Sequence, residues 1–307
     1  MDKNLLTIAI CTYNRAQILP EALMSLLKQT VPQEEYFVLI IDNNSRDNTR
    51  ELAAYFKDKF TNLRIILETN QGLSYARNRA LKECQTEWIA FLDDDAKAHP
   101  DWVETILQTI EKGDFDVFGG PYYAWHHYGP APRWLPEDFG TYESPQGYGL
   151  LKGDAYIPGG NSVLHCDAAR SIGKFSTELG MNGNRCGYGE ETQFFERMRA
   201  AGYRMGYVPQ MKIDHCVLPY KYTLRWQMRS AFEYGKAAAS LPENIKKFML
   251  LRCLWHCFRA PFRILSDIIR HRKNFTLSRI IFTHIRPLVL DAGLLYKINS
   301  KSNRVNK

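Results

Sequence analysis

The sequence predicts an α/β fold: a mixed, mostly parallel sheet with helices on both faces, followed by a helical extension. Three observations predict it. Short β-rich runs alternate with stretches of helical periodicity through the first half of the chain, as βαβ units require. Runs such as Tyr36–Ile41 (YFVLII) and Trp88–Leu92 (WIAFL) are continuously apolar, which fits strands covered on both faces. From Leu224 onward the pattern is helical only, with Leu, Ile, Phe and Trp interleaved with Arg and Lys.

The elements follow in order. Leu6–Cys11 opens as a strand, and Ile18–Gln29 has helical spacing that ends near Pro32. Strand Tyr36–Ile41 precedes helix Thr49–Phe60, and strand Leu63–Leu67 precedes helix Leu73–Cys84. Strand Trp88–Leu92 runs into Asp93-Asp94-Asp95, ahead of helix Trp102–Lys112 and a strand at Val117–Gly119. Residues 121–158 break the rhythm: nine of these 38 residues are aromatic and several are Pro or Gly, which predicts a long functional loop. Regular structure resumes at Asn161–His165, then helix Glu191–Ala201, closed by Gly202, and strand Tyr203–Val208. Two domains are expected, at 1–235 and 236–307.

Composition excludes several classes. With 45% apolar and 24% charged residues in 307, the chain is neither disordered, collagen-like nor a multi-span membrane protein. Seven cysteines without regular spacing argue against a disulfide scaffold or zinc ribbon and for reduced thiols in the cytoplasm. No signal peptide or spanning helix is expected. Residues 245–307 hold 14 Lys and Arg against Asp267 and Asp291, a balance of +12, while the rest balances at −5. A tail of basic amphipathic helices, carrying Phe248, Leu251, Trp255, Phe258, Phe262, Ile264 and Ile268 between Arg252, Arg259, Arg263 and Arg270, suits an anionic membrane surface. The same helices also suit packing on the body. Nucleic acid is not expected, because the aromatics form one apolar face.

Ligands of parallel sheets sit at the carboxyl ends of the strands, so the residues there are the candidates. Three adjacent carboxylates, Asp93, Asp94 and Asp95, repel one another after a buried strand. Mn2+ or Mg2+ would neutralise them beside substrate phosphates; a helix N-terminus is the alternative. Asp42 ends the second strand beside Asn43-Asn44, and Thr12, Tyr13, Asn14 and Arg15 end the first. An acid there can accept from a base or ribose, a tyrosine can stack on a base, and an arginine can meet phosphate. Gly72 opens a helix carrying Arg77, a plausible anion site. Gly187-Tyr188-Gly189-Glu190-Glu191 forms a glycine-rich helix entry with two acids, and His215 ends a late strand.

In this order CTYNR, IDNNS, NQGLSYARN, FLDDDA, GGN, GEE and DH resemble family 2 glycosyltransferases of the GT-A fold, over roughly residues 5–235. The resemblance implies an inverting transfer from a nucleotide-diphosphate sugar, usually UDP-linked, to a hydroxyl acceptor such as a lipid-linked oligosaccharide. It implies a role in cell-surface polysaccharide or glycolipid synthesis at the inner face of the cell membrane. It places Thr12, Tyr13 and Asp42 at the base, with Asn14, Arg15, Asn44 and Gly72 nearby. Arg77 would lie along the donor. Asp93 and Asp94 would meet the nucleotide sugar, and Asp93, Asp95 and His215 the metal. Gly160 and Asn161 would line the acceptor side. The aromatic loop itself suits stacking on sugar rings through Trp125 or Trp134, or packing as a surface lid. The base would be Glu191, with Glu190 as its rival. The other readings are a nucleotidyltransferase with a similar metal site, which lacks here its early glycine-rich phosphate loop, and a non-catalytic carbohydrate-binding protein.

Overall fold

The structure, a computed structural model, describes residues 5–152, 155–183, 185–239, 251, 255–256, 258–259, 261–266, 269 and 276–305. The chain divides into two compact units. One comprises Met1–Trp125, Gly140–Glu178 and Glu190–Cys216; the other comprises His126–Phe139, Leu179–Gly189 and Val217–Lys307. The expected boundary at 235/236 falls inside helix α7 (Leu224–Ala238), which is continuous there, so the second unit begins earlier and takes in two excursions of the chain.

The first unit is an eight-stranded sheet in the order β3-β2-β1-β4-β9-β6-β10-β8. Its strands are β1 (Leu6–Thr12), β2 (Tyr36–Asp42), β3 (Leu63–Leu67), β4 (Trp88–Leu92), β6 (Val117–Gly119), β8 (Gly149–Leu150), β9 (Asn161–His165) and β10 (Met205–Tyr207). The first four are parallel, and β9 runs antiparallel between β4 and β6. Side chains alternate across each strand. Leu6, Ile8, Ile10, Val38 and Ile40 face a core completed by helices α1 (Leu19–Leu26), α2 (Thr49–Lys57) and α4 (Trp102–Lys112). Ala9, Leu39, Ile41, Ile89 and Phe91 face the opposite core with α3 (Leu73–Glu83), α5 (Cys166–Ile172) and α6 (Glu190–Ala200). Helices thus cover both faces, as expected.

A second sheet orders β5 (Ala96–Ala98), β11 (Ile213–Cys216) and β7 (Tyr122–Trp125). Here the structure departs from the sequence reading. The expected loop 121–158 contains β7 and β8, because Tyr122–Trp125 pairs with a strand some ninety residues later. Helix α6 starts at Glu190, one residue before the expected start.

In the second unit, Gly235 of α7 packs against the helix Arg286–Val305, where an added Cβ would stand 1.9 Å from the Leu290 carbonyl oxygen. Gly293 is its counterpart against Phe232. The two glycines let these helix backbones approach closely. Described residues between 251 and 269 are helical. Phe248, Arg252, Ile268 and Arg270 lie outside the described residues.

Candidate active site

Chain order reverses beside β1: β2 and β3 lie to one side and β4 to the other. Such a reversal opens a crevice at the carboxyl ends of the strands, and two carboxylate clusters stand there.

The first cluster follows β4. The chain folds back through β5, which pairs with β11 so that His215 lies opposite Ala96, and the Cys216 N–H donates to the Asp95 carbonyl at 2.8 Å. This pairing brings His215 Nε2 to 3.2 Å from Asp95 Oδ1 and 3.9 Å from Asp93 Oδ2. Each of Asp93, Asp95 and His215 offers a ligand atom within 4.8 Å of the others. Asp94 points elsewhere. It is buried 3.4 Å from the Arg15 Nε, and burial pushes its carboxyl up to about 7 against the pull of Arg15.

The second cluster is centred on Arg77 of α3, itself buried between the Phe91 and Phe175 rings. Its Nη1 donates to Glu190 Oε1 at 2.8 Å and stands 3.7 Å from Glu191 Oε2. Burial and the charge of Glu191 push the Glu190 carboxyl up, outweighing Arg77, which pulls it down. Arg77, expected along the donor, is ion-paired here with the two acids that open α6. Glu190 is 5% exposed and Glu191 28%. Glu191 Oε2 is buried and makes no hydrogen bond.

Two adjacent glycines connect the clusters. A Cβ on Gly160 would stand 2.0 Å from the Asp93 carboxyl, and one on Gly159 would stand 2.7 Å from Arg77 Nη2 and 3.1 Å from Glu191 Cγ. Any side chain here would displace one cluster or the other. Asn161, expected beside an acceptor, is fully buried instead. Its Oδ1 accepts from the Trp102 indole N–H, and its Nδ2 donates to the Pro121 and Met211 carbonyls. The amide satisfies buried groups and has no surface left for a ligand. Trp134 packs edge-on against Phe282 within the second unit.

The ends of β1 and β2 form the opposite wall. Thr12 and Asp42 are buried register partners, and Tyr13 is half-buried. Asn14 and Asn44 adopt left-handed conformations, with φ of 53° and 61°. Asn14 locks the two loops together: its N–H donates to Ser45 Oγ and its Oδ1 accepts from the Arg46 N–H. Asp42, expected to read a base, is 1% exposed. Its Oδ1 accepts from the Ser45 N–H, and its Oδ2 from Arg50 Nε and Nη2 at 2.9 and 2.8 Å. The Gly72 N–H donates to Asn43 Oδ1, so that helix start is capped by protein.

Sequence reasoning missed Asn43, Arg50 and a tyrosine cluster. The Tyr122 ring stands 5.7 Å from His215, and its hydroxyl bonds the Tyr156 hydroxyl at 3.2 Å. Burial raises the Tyr122 hydroxyl, and the charges of Asp93 and Glu191 add to this. The Tyr142 hydroxyl clamps Tyr156, donating to its carbonyl and accepting from its N–H. Tyr156 is 45% exposed. The aromatic content of 121–158 was the available signal.

Comparison with known proteins decides the family. Residues 7–173 match the profile of Glycosyl transferase family 2, more than half of the chain. The chain belongs to that family. It is 30% identical to the succinoglycan biosynthesis protein ExoM of Rhizobium meliloti, over 76% of this chain and 74% of ExoM. Among solved structures it is similar to residues 1–349 of S. aureus TarS with UDP-GlcNAc: TM-score 0.60, 16% identity, 88% of this chain and 93% of that one. The mannosyltransferase PcManGT of Pyrobaculum calidifontis, with GDP-Man and Mn2+, gives TM-score 0.66 and 16% identity over 97% and 88%. At such identity these structures speak for the GT-A fold alone. The chain is thus a GT-A glycosyltransferase, and the nucleotidyltransferase and binding-protein readings are set aside.

Proposed function

We propose that this glycosyltransferase transfers a sugar, with inversion, from a UDP-linked donor to a hydroxyl acceptor in cell-surface polysaccharide or glycolipid synthesis. One observation carries the reading: Gly159 and Gly160 hold a metal-type cluster and a carboxylate pair against one crevice. The nucleotide sugars bound by TarS and PcManGT and the polysaccharide role of ExoM support the donor and pathway classes.

Thr12, Tyr13, Asn14, Arg15, Asp42 and Asn44 are read as the nucleotide side. Asp93, Asp95 and His215 would hold the cation, since two hard oxygens and an imidazole suit Mn2+ or Mg2+. Bound there, the ion would neutralise charge growing on the leaving diphosphate. Glu191 is the base: it is the more exposed acid of its pair and keeps an oxygen without a hydrogen bond. It removes the acceptor hydroxyl proton as that oxygen attacks the anomeric carbon opposite the diphosphate. Glu190 holds Arg77 and so orients the pair. Tyr156, clamped and exposed beside both clusters, is read as a stacking face for the acceptor sugar. A lipid-linked acceptor would place the enzyme on the inner face of the cell membrane.

A thermal-shift series of UDP, GDP and TDP sugars, with and without Mn2+, tests the donor, because a ligand bound to the native state raises its stability. The largest shift is expected with a UDP sugar and Mn2+; a larger shift with GDP sugars would reassign the donor.

A further inference from the structure

Six large apolar side chains among the described residues between 251 and 269 are left in water. Leu251, Trp255, Phe258, Phe262, Leu265 and Ile269 are 68, 54, 67, 66, 59 and 68% exposed. In the sequence they recur at alternating steps of four and three residues, the spacing of one helical face. Ile264, expected on this face, is half-buried and lies off the stripe. The Phe258 and Phe262 rings stand 6.0 Å apart along it, and the Arg259 guanidinium lies over the Trp255 ring at 4.8 Å. Arg259 and Arg263 are themselves exposed. Half-buried His256 Nδ1 bonds Asp291 Oδ2 of the helix Arg286–Val305 at 3.0 Å, so the helix is tethered from beside the stripe. An apolar surface of this extent marks a contact site.

Charge selects what covers it. The same spacing would suit a coiled-coil seam with a second copy, but that pairing would set two tails of balance +12 against each other. Among the described residues no helix is long and apolar enough to cross a membrane. An anionic bilayer surface answers both features, taking apolar rings among its acyl chains and arginines among its headgroup phosphates.

We infer that Leu251, Trp255, Phe258, Phe262, Leu265 and Ile269 are the face by which this enzyme lies in the interface of an anionic membrane, with the rings of Trp255, Phe258 and Phe262 inserted and Arg259 and Arg263 at the headgroups. The choice of partner rests on the membrane reading above; the choice of face rests on the exposed stripe.

The test is co-sedimentation of the full chain with vesicles of phosphatidylcholine alone or mixed with phosphatidylglycerol. The mixed vesicles should bind about tenfold or more tightly, and raised salt should weaken that binding. The double variant F258E/F262E should lose about tenfold or more of it, and R259A/R263A a comparable part through charge. All three proteins should keep one melting temperature, since these side chains are exposed. No wild-type binding to either vesicle overturns the membrane reading as a whole. Binding that F258E/F262E leaves unchanged overturns the face alone. A concentration-dependent dimer in sedimentation velocity that F258E/F262E abolishes overturns it in favour of a second copy.

Discussion

The two carboxylate clusters of the crevice meet the same electrostatic problem in opposite ways. His215 stands between Asp93 and Asp95, its Nε2 3.9 and 3.2 Å from their carboxylates. Glu190 and Glu191 share Arg77, an arginine supplied by the fold and buried with Glu190. Mutual repulsion raises the energy of any close carboxylate pair. Where the fold provides a permanent cation, the pair is internally balanced, and one acid is pushed toward its neutral form. Where a histidine joins the acids, as at Asp93 and Asp95, the three side chains have the spacing of a cation site. In the proposed function the difference separates a site that takes up charge from one that handles a proton.

Each half of the contrast can be tested. Asp95→Ala should have the largest effect, a loss of about a thousandfold in transfer, with calorimetry showing UDP binding no longer strengthened by Mn2+. Wild-type affinity in that titration would remove Asp95 from the cation site. Glu191→Gln should come next, lowering transfer by about a hundredfold while UDP binding stays intact. If Glu190→Gln abolishes transfer and Glu191→Gln keeps it, the two acids have been assigned in reverse.

Glu190→Gln should act more on stability than on rate. Glu190 stays protonated in the native state above its ordinary value of 4.5, so the native state there binds more protons than the unfolded one. Stability should therefore fall as pH rises above about 4.5. The glutamine variant should flatten that slope in thermal melts; an unchanged slope would mean that the buried acid does not titrate in this window. Arg50→Ala should have the smallest effect. It uncovers the Asp42 carboxylate, and a base that donates to it should gain about tenfold or less. Competition between UDP and GDP should then shift toward UDP, and an unmoved ratio would show that Asp42 reads no base.

The metal-type cluster was largely legible. Asp93-Asp94-Asp95 turn the chain directly after β4, which brings 93 and 95 to His215 and 94 to Arg15. His215 stood out as another strand end. The Arg77–Glu190 pair was not legible, because its partners lie 113 residues apart and nothing local marks an arginine as buried. Asn161 misled for a related reason. An amide beside two glycines reads as a binding residue, and only the packed surroundings show it bonding Trp102, Pro121 and Met211. Tyr122 was hidden within an aromatic stretch whose strand pairing is entirely non-local.

By itself the sequence determined the alternation of the main strands and helices up to Gly119, the glycosyltransferase family and which residue types end those strands. Those follow from local periodicity and from short motifs, which depend only on neighbours along the chain. The tertiary structure alone decided which acid faces a protein cation, which oxygen is already bonded and which aromatic face is left in water. Charge interactions depend on distance and on the dielectric around them, and apolar burial depends on what packs opposite. Both are set between segments far apart in the chain, as when Arg77 meets Glu190 and His215 meets Asp93 and Asp95.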